Sequence, residues 1–334
     1  MTNQWGPVNY NFETLRTPFS LFFFYSAVPF FDFIRLQKIR ESQVAMDLVV
    51  HPSGDLLYLS NVLSVDEEQE TLRHIYGNRS ALHWTKLRSR RLINLGGLPS
   101  EHGMIAEDIP SWLQSDSAFY SRLQRCSDSV STSNPVKREQ EPLEKLAGEG
   151  DRIVGSCCWE TLTRAIATSA WGSTPFIPAE MNHVLINEYT TTQGIMAHED
   201  GPLYDPLVAI VSLGATVNLE FIQKRRDSHK LEDDEAAQHR ISCILSPRSL
   251  VVFRGKFYSD YLHGIEEKQI QRVTSMFNHR MPLSLSVTTG ECGELHVDNQ
   301  GCLTLDRGVE TRISITYRHV VKTRKLSKAV IFGK

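Results

Sequence analysis

This chain is short of several things, and each shortage removes a class of protein. Neither sign of charge is in excess: 36 Lys and Arg against 39 Asp and Glu leave a net charge of −3 over 334 residues. No global field therefore draws it to a polyanion, and any such contact must come from a local patch. The six cysteines (Cys126, Cys157, Cys158, Cys243, Cys292, Cys302) follow no disulfide-framework spacing, which argues against a secreted, disulfide-stapled scaffold. The adjacent pair Cys157-Cys158 suits a reducing compartment, so an intracellular protein of the cytoplasm or nucleus is expected. Cys292, His296 and Cys302 match no zinc spacing. The strongly apolar stretch Leu21–Phe31 is shorter than the ~20 residues a bilayer span needs, and Pro29 interrupts it. Met1–Thr17 carries Glu13 and only Arg16, unlike the basic start of a secretory signal. No membrane association is expected.

What is present suffices for a full core: 41% of residues are hydrophobic, as fits one large domain with extensions. Residues 1–46 stay unassigned, and three readings stand: a disordered N-terminal extension, a partner-binding segment, or a gene-model error. Residues 47–125 read as an N-terminal α/β part that includes a lid for substrate recognition. In it, Asp47–Val50 and Leu56–Leu59 are strands joined by the turn His51–Asp55. Ser64, with Glu67 three residues on, caps a helix running to Tyr76. A second helix is expected around Ser111–Arg122. Residues 126–180 read as a flexible insertion, polar over Ser127–Gly150, followed by a connecting helix at Trp159–Ser169.

From 181 to 321 the pattern turns to short strands, as in a jelly-roll sheet sandwich. Leu207–Leu213 and Thr216–Phe221 suit a hairpin about Gly214-Ala215, and Leu250–Phe253 a buried strand. Two polar insertions interrupt this core, 222–243 and 266–308; the charged run Lys224–Arg240 reads as a solvated loop. Part of the second insertion is expected to be disordered before Thr311–Val320 closes the sheet. A basic tail, 322–334, ends the chain. The class is mostly β with flanking helices, and a monomer is expected.

Within this core, His198 and Asp200 stand two apart in His198-Glu199-Asp200-Gly201-Pro202. On an extended strand that spacing aims both side chains to one side and Glu199 away. With His263 they offer two imidazoles and a carboxylate, a set that holds Fe(II) while leaving coordination positions open. Taken alone, the pair is an ordinary acidic surface turn and His263 a satisfied structural histidine. Upstream, Asn187 and Tyr189 share one face of an apolar strand. Downstream, Arg312-Ile313-Ser314-Ile315-Thr316-Tyr317-Arg318 alternates with period two, placing Arg312, Ser314, Thr316 and Arg318 on one face. Such a stripe is costly to bury unless an anion meets it. A dicarboxylate such as 2-oxoglutarate is a fitting partner for the arginine fork.

These pieces, in this order, resemble the AlkB family of Fe(II)/2-oxoglutarate dioxygenases, most closely its homologue 6 branch. The resemblance rests on Asn187-Glu188-Tyr189, on Gly194–Tyr204, on Ser246–Gly255, on Leu262-His263-Gly264-Ile265 and on Arg312–Arg318, with Gly96-Gly97-Leu98-Pro99 upstream. It implies a double-stranded β-helix, or jelly-roll, core. It also implies iron ligands His198, Asp200 and His263, with Arg312, Ser314 and Tyr189 on the distal carboxylate of 2-oxoglutarate. Asn187 and Arg318 would then serve the end that chelates iron. The implied reaction consumes O2 and 2-oxoglutarate, releases succinate and CO2, and hydroxylates an N-methyl group, which then leaves as formaldehyde. Alkylated RNA or DNA is the expected substrate, with a methylated protein as the other possibility. Lys86, Arg88, Arg90 and Arg91, beside Trp84, form the local basic patch for it; a basic surface strand is the plainer reading of the same residues. The alternative function is a non-catalytic binding module that keeps the fold.

Overall fold

The computed structural model describes residues 48–77, 82–114, 181–225, 239–278 and 293–324, the backbone of 152–153 and 287–288, and Ser169 and Trp171. All belong to one unit, Gln43–Lys334. The extension 1–46, the insertion 127–150, most of the helix expected at 159–169, and the tail beyond 324 lie outside the described residues.

Strands β1 (Leu48–Val50) and β2 (Leu56–Leu59) pair across the expected turn. Helix α1 (Val65–Tyr76) starts at a reciprocal capping box: Glu67 N donates to Ser64 Oγ at 3.2 Å, and Ser64 N to Glu67 Oε2 at 2.8 Å. Asp66, Glu67 and Glu68 in its first turn and Arg73 and His74 in its last suit the helix dipole. Then come β3 (Thr85–Lys86), β4 (Arg91–Leu95) and β5 (Met104–Ile105). Where a second helix was expected there is a single 3-10 turn, Ser111–Leu113, and residues 115–122 lie outside the described residues. After β6 (Arg152–Ile153) follow β7 (His183–Tyr189), β8 (Ile195–His198), β9 (Leu207–Leu213) and β10 (Val217–Gln223). Next are β11 (Arg240–Leu245), β12 (Ser249–Arg254), the short helix α2 (Gly255–Ser259) and β13 (Tyr261–Ile265). The series continues with β14 (Ile270–Arg272), β15 (Ser275–Met276), β16 (Val287–Thr288), β17 (Glu294–Val297) and β18 (Leu303–Asp306). It closes with β19 (Arg312–Arg318) and β20 (Thr323–Arg324).

Two sheets make the jelly roll. The larger runs β3-β4-β7-β19-β9-β12-β2-β1-β6 and the smaller β15-β11-β10-β13-β8. Alternation along each strand decides what lies between them. Val208 and Ile210, Val251 and Phe253, and Leu56 and Tyr58 of the large sheet meet Val217, Leu219, Phe221, Ile241, Cys243 and Leu245 of the small one. The opposite parity, including Ala209, Val211, Leu250, Val252, Ile313 and Ile315, covers the outer core with Ile75 of α1 and Trp171. Among the described residues no helix is long and apolar enough to cross a membrane.

Three expectations about this region are corrected. The first is the insertion placed at 222–243: Ile222 and Gln223 end β10, and Arg240–Cys243 belong to β11, with Ile241 and Cys243 in the core between the sheets. Leu207–Leu213 and the strand after Gly214-Ala215 do not pair as a hairpin: β9 lies between β19 and β12, whereas β10 lies between β11 and β13. The chain crosses from one sheet to the other at Gly214, whose φ is +77° and where a Cβ would stand 2.2 Å from Thr311 O. Only glycine fits there. The excursion 266–308 is not mere polar loop, for it holds the four-stranded sheet β14-β18-β17-β16. Leu295, Leu305 and Val273 pack on Ile244, on the outer face of the small sheet, so apolar residues spaced two apart were enough to seat it. The start of the tail is also paired: Thr323 and Arg324 lie parallel to Met104 and Ile105.

Candidate active site

The central pairing of the large sheet builds most of the site. In the β7–β19 register Arg312 faces Tyr189, Ser314 faces Asn187 and Arg318 faces His183. Residues directly opposite share a face, and on the other side of β19 Ser314 faces Ser212. The polar stripe thus turns inward, toward the small sheet, and Arg312, Ser314, Thr316 and Arg318 are all buried.

The expected metal ligands converge. His198 ends β8, Asp200 lies two residues on, just past the strand, and His263 sits in β13 directly opposite His198. Their candidate ligand atoms all lie within 4.8 Å of one another. The approach of β13 to β8 requires Gly264, where a Cβ would be 2.8 Å from Ala197 Cα. His198 Nδ1 donates to Met196 O at 2.9 Å, which leaves Nε2 as the lone pair. His263 is walled by Phe253 and Phe221, at ring distances of 4.9 and 6.2 Å. Burial drags its pKa down to about 4 against the pull of Asp200, so near neutrality it is uncharged and able to ligate. Asp200 Oδ1 accepts from Arg318 Nη1 at 2.5 Å. Its Oδ2 is buried without a hydrogen-bond partner, 3.8 Å from His263 Nε2. Two imidazoles around an orphaned carboxylate oxygen fit a divalent cation. Glu199 points away and pairs with Lys224, while Tyr258 donates to Gly201 O at 2.6 Å and pins the turn after Asp200.

The cosubstrate candidates line the adjoining part of the same face. Arg312 is 1% exposed, donates from Nε to Ser212 Oγ at 2.8 Å, and holds its guanidinium 5.4 Å from the Tyr189 ring centre. It pairs with no carboxylate among the described residues, and burial presses its pKa down to about 10. A buried cation without a counter-charge fits a pocket for an anionic ligand. Asn187 Oδ1 accepts from Arg90 Nε at 3.0 Å, leaving the amide nitrogen to donate. Arg318 lies 4.6 Å over the Tyr204 ring, and its Nε is buried without a partner.

The four basic residues of the upstream patch take different places. Arg91 is bound to Glu188 through Nε and Nη2, at 2.5 and 2.7 Å, and stacks 4.3 Å over Trp84. Tyr76 donates to the same carboxylate. Arg90 turns to Asn187, and only Lys86 and Arg88 are exposed. Three residues escaped the sequence reading. Ser212 was hidden in an apolar run. His183 shares the parity of Asn187 and Tyr189; its Nε2 meets Asn94 Oδ1 at 2.8 Å, and burial, with Arg318, lowers its pKa to about 3. Arg307, 1% exposed, ends the excursion taken as polar loop.

A sequence profile of the 2OG-Fe(II) oxygenase superfamily matches residues 109–318, more than half of the chain. The "Probable RNA/DNA demethylase ALKBH6" of Danio rerio is 29% identical over 269 residues, spanning 79% of this chain and 85% of the relative. Among solved structures, OsALKBH1 aligns with a TM-score of 0.42 at 15% identity, over 81% of this chain and 99% of its own. An oxidoreductase of the 2OG-Fe(II) oxygenase family from Burkholderia pseudomallei aligns at 0.39 and 11% identity, over 82% and 89%. The chain belongs to the 2OG-Fe(II) oxygenase superfamily, is AlkB-like within it, and is a dioxygenase that works with Fe(II), 2-oxoglutarate and O2.

Proposed function

We propose that the protein oxidatively demethylates alkylated RNA or DNA, releasing succinate, CO2 and formaldehyde. The observation that carries this reading is the convergence of His198, Asp200 and His263 beside a buried arginine that has no carboxylate of its own. A relative described as a probable RNA/DNA demethylase supports the substrate class. A non-catalytic binding module has no use for this full set, and is not favoured.

In this reading His198 Nε2, Asp200 Oδ2 and His263 hold Fe(II). Arg318 fixes Asp200 by its other oxygen, so the carboxylate presents one oxygen in one orientation. Arg312, with Ser314 and Tyr189, receives the distal carboxylate of 2-oxoglutarate; Asn187, its amide oriented by Arg90, donates to the keto-acid end. When bound, the iron couples oxidative decarboxylation of the keto acid to hydroxylation of a positioned C–H bond. On an N-methyl carbon the product is a hemiaminal, which collapses to formaldehyde and the demethylated nitrogen. Lys86 and Arg88, exposed on the β3–β4 hairpin, are the residues we assign to phosphate contact. Free Cys243 and Cys302 are in keeping with an intracellular location, cytoplasmic or nuclear.

The test is a screen for coupled formaldehyde and succinate release over methylated RNA, DNA and peptides. Release from a methylated oligonucleotide is the expected result. Release from peptides alone, or from none while succinate forms normally, would overturn the substrate assignment.

A further inference from the structure

Arg307 is a buried cation that the proposed reaction does not yet use. It follows β18 and is 1% exposed, as is Arg312. Its Nη1 and Nη2 donate to the carbonyls of Gln193 and Thr190, at 2.7 and 3.2 Å, in the loop between β7 and β8. Carbonyl dipoles satisfy two N–H groups but leave the charge itself unpaired. Its Nε is buried with no partner at all. Neighbouring Asp306 does not serve it, being bonded instead to Gly308 N and Gln269 Nε2 at 2.9 and 3.2 Å. Among the described residues neither Arg307 nor Arg312 has an ion pair.

The two cations converge on one buried group. Burial pushes the Tyr189 phenol up, opposed by Arg312, Arg90, a hydrogen bond with Ser314, and Arg307. Arg307 and Arg312 also repel one another, which adds to the effect of burial in lowering the Arg312 pKa. Arg312 holds its guanidinium 5.4 Å from the Tyr189 ring centre, and Arg307 bonds the carbonyl of the next residue, Thr190. Two buried cations without a carboxylate thus flank one stretch of chain, which is a costly arrangement. It becomes favourable when an anion of comparable charge lies between them.

We propose that Arg307 is a second cation of the cosubstrate pocket, which acts with Arg312 to select a keto acid bearing a distal carboxylate. This rests on the 2-oxoglutarate site placed at Arg312 under the proposed function. Arg307 acts at the far end of the ligand, away from the iron-chelating end, so its effect depends on whether the ligand has a second carboxylate. Because it comes from the accessory sheet and grips the loop leading into β8, it also makes that sheet part of the cosubstrate site.

The experiment compares 2-oxoglutarate with 2-oxobutyrate, which keeps the keto-acid end and lacks the distal carboxylate. Both are titrated anaerobically into the Fe(II)-loaded full chain, into the tens of millimolar, and followed by the visible absorption band of the chelate. Arg307→Gln is expected to weaken 2-oxoglutarate about tenfold, as loss of one charge-assisted contact does, and to leave 2-oxobutyrate within about twofold by the same scale. Arg307→Lys keeps the cation without the fork, and should retain the preference for the dicarboxylate. Equal weakening of both acids in either variant would mean that Arg307 only braces the loop, and unchanged binding of both would mean that it faces no ligand. Either result overturns the proposal. Arg312→Gln serves as the reference: if it discriminates and Arg307→Gln does not, only the second cation is lost. If neither discriminates, the cosubstrate site itself is misplaced. Melting of each metal-free variant separates loss of fold from loss of binding.

Discussion

Arg318 and Asp200 are joined by an ion pair of 2.5 Å, although 118 residues separate them in the chain. One oxygen of Asp200 is thereby occupied, and the other is left buried and free beside His263. The arginine thus decides which way the carboxylate looks. Arg318→Gln should lower Fe(II) affinity by about ten- to hundredfold, the range typical of lost outer-shell partners. Equilibrium metal competition with a chelator checks this, and unchanged affinity would show that Asp200 is oriented without Arg318.

Removal of a ligand should be harsher. His198→Ala, Asp200→Ala and His263→Ala should each abolish succinate formation while the metal-free protein still folds, with Asp200→Ala lowering the melting transition as well because it strips buried Arg318 of its carboxylate. Asp200→Glu should fail as well, because the extra methylene displaces the oxygen. Wild-type turnover in any of the three alanine variants would remove that residue from the ligand set.

Arg312→Lys separates geometry from charge at the distal end of the cosubstrate. Iron binding should be normal, while 2-oxoglutarate affinity should fall about ten- to hundredfold for a loss of roughly 1.5–3 kcal/mol. Ser314→Ala should cost less. A titration at saturating Fe(II) decides it, and an unaltered Arg312→Lys enzyme would leave the arginine stripe without a role.

Acid should unfold the metal-free protein partly through His183, which the fold keeps neutral with a pKa of about 3. A depressed pKa means stability that is fully present above the unfolded value of about 6.5 and is lost as pH falls toward the folded one. His183→Gln lacks this dependence. The stability gap between wild type and variant should therefore shrink by about 2–3 kcal/mol between pH 6.5 and 4.5. Denaturant titrations at the two pH values measure it, and a constant gap would mean that His183 is not held neutral.

The basic patch predicts opposite outcomes for neighbouring residues. Lys86→Ala and Arg88→Ala should weaken oligonucleotide binding and each reduce the salt slope by about 0.7–0.9. Arg91→Ala should instead lower stability, because the buried Glu188 carboxylate would lose its counter-charge and keep only the Tyr76 hydroxyl. Binding at two salt concentrations, with melting curves alongside, distinguishes the two roles.

The parts legible in the sequence were those in which one residue type implies one geometry. Ser64 and Glu67 announced the start of α1, and the period-two run Arg312–Arg318 announced a strand with a polar inner face. His198 and His263 could be paired only because the order of motifs resembled a family, since nothing local says that β8 and β13 are neighbours. What was missed depends on partners distant in the chain. Gly214 looks like a hairpin turn until Thr311 is known to sit against it. Leu295 and Leu305 read as stray apolar residues until Ile244 supplies the surface that they cover. Arg307 and His183 are unremarkable by spacing, and only their burial sets them apart.

The central position of β19 has a consequence for how the molecule is made. β7 and β9 flank it on either side, and both are synthesised roughly a hundred residues earlier. Until β19 leaves the ribosome, two long apolar strands wait with unpaired edges facing the gap it will fill. Such edges are templates for wrong partners. The strand that completes the cosubstrate pocket is therefore also the one that ends this exposure, and the nascent chain needs shielding up to the moment at which it becomes able to bind its cosubstrate.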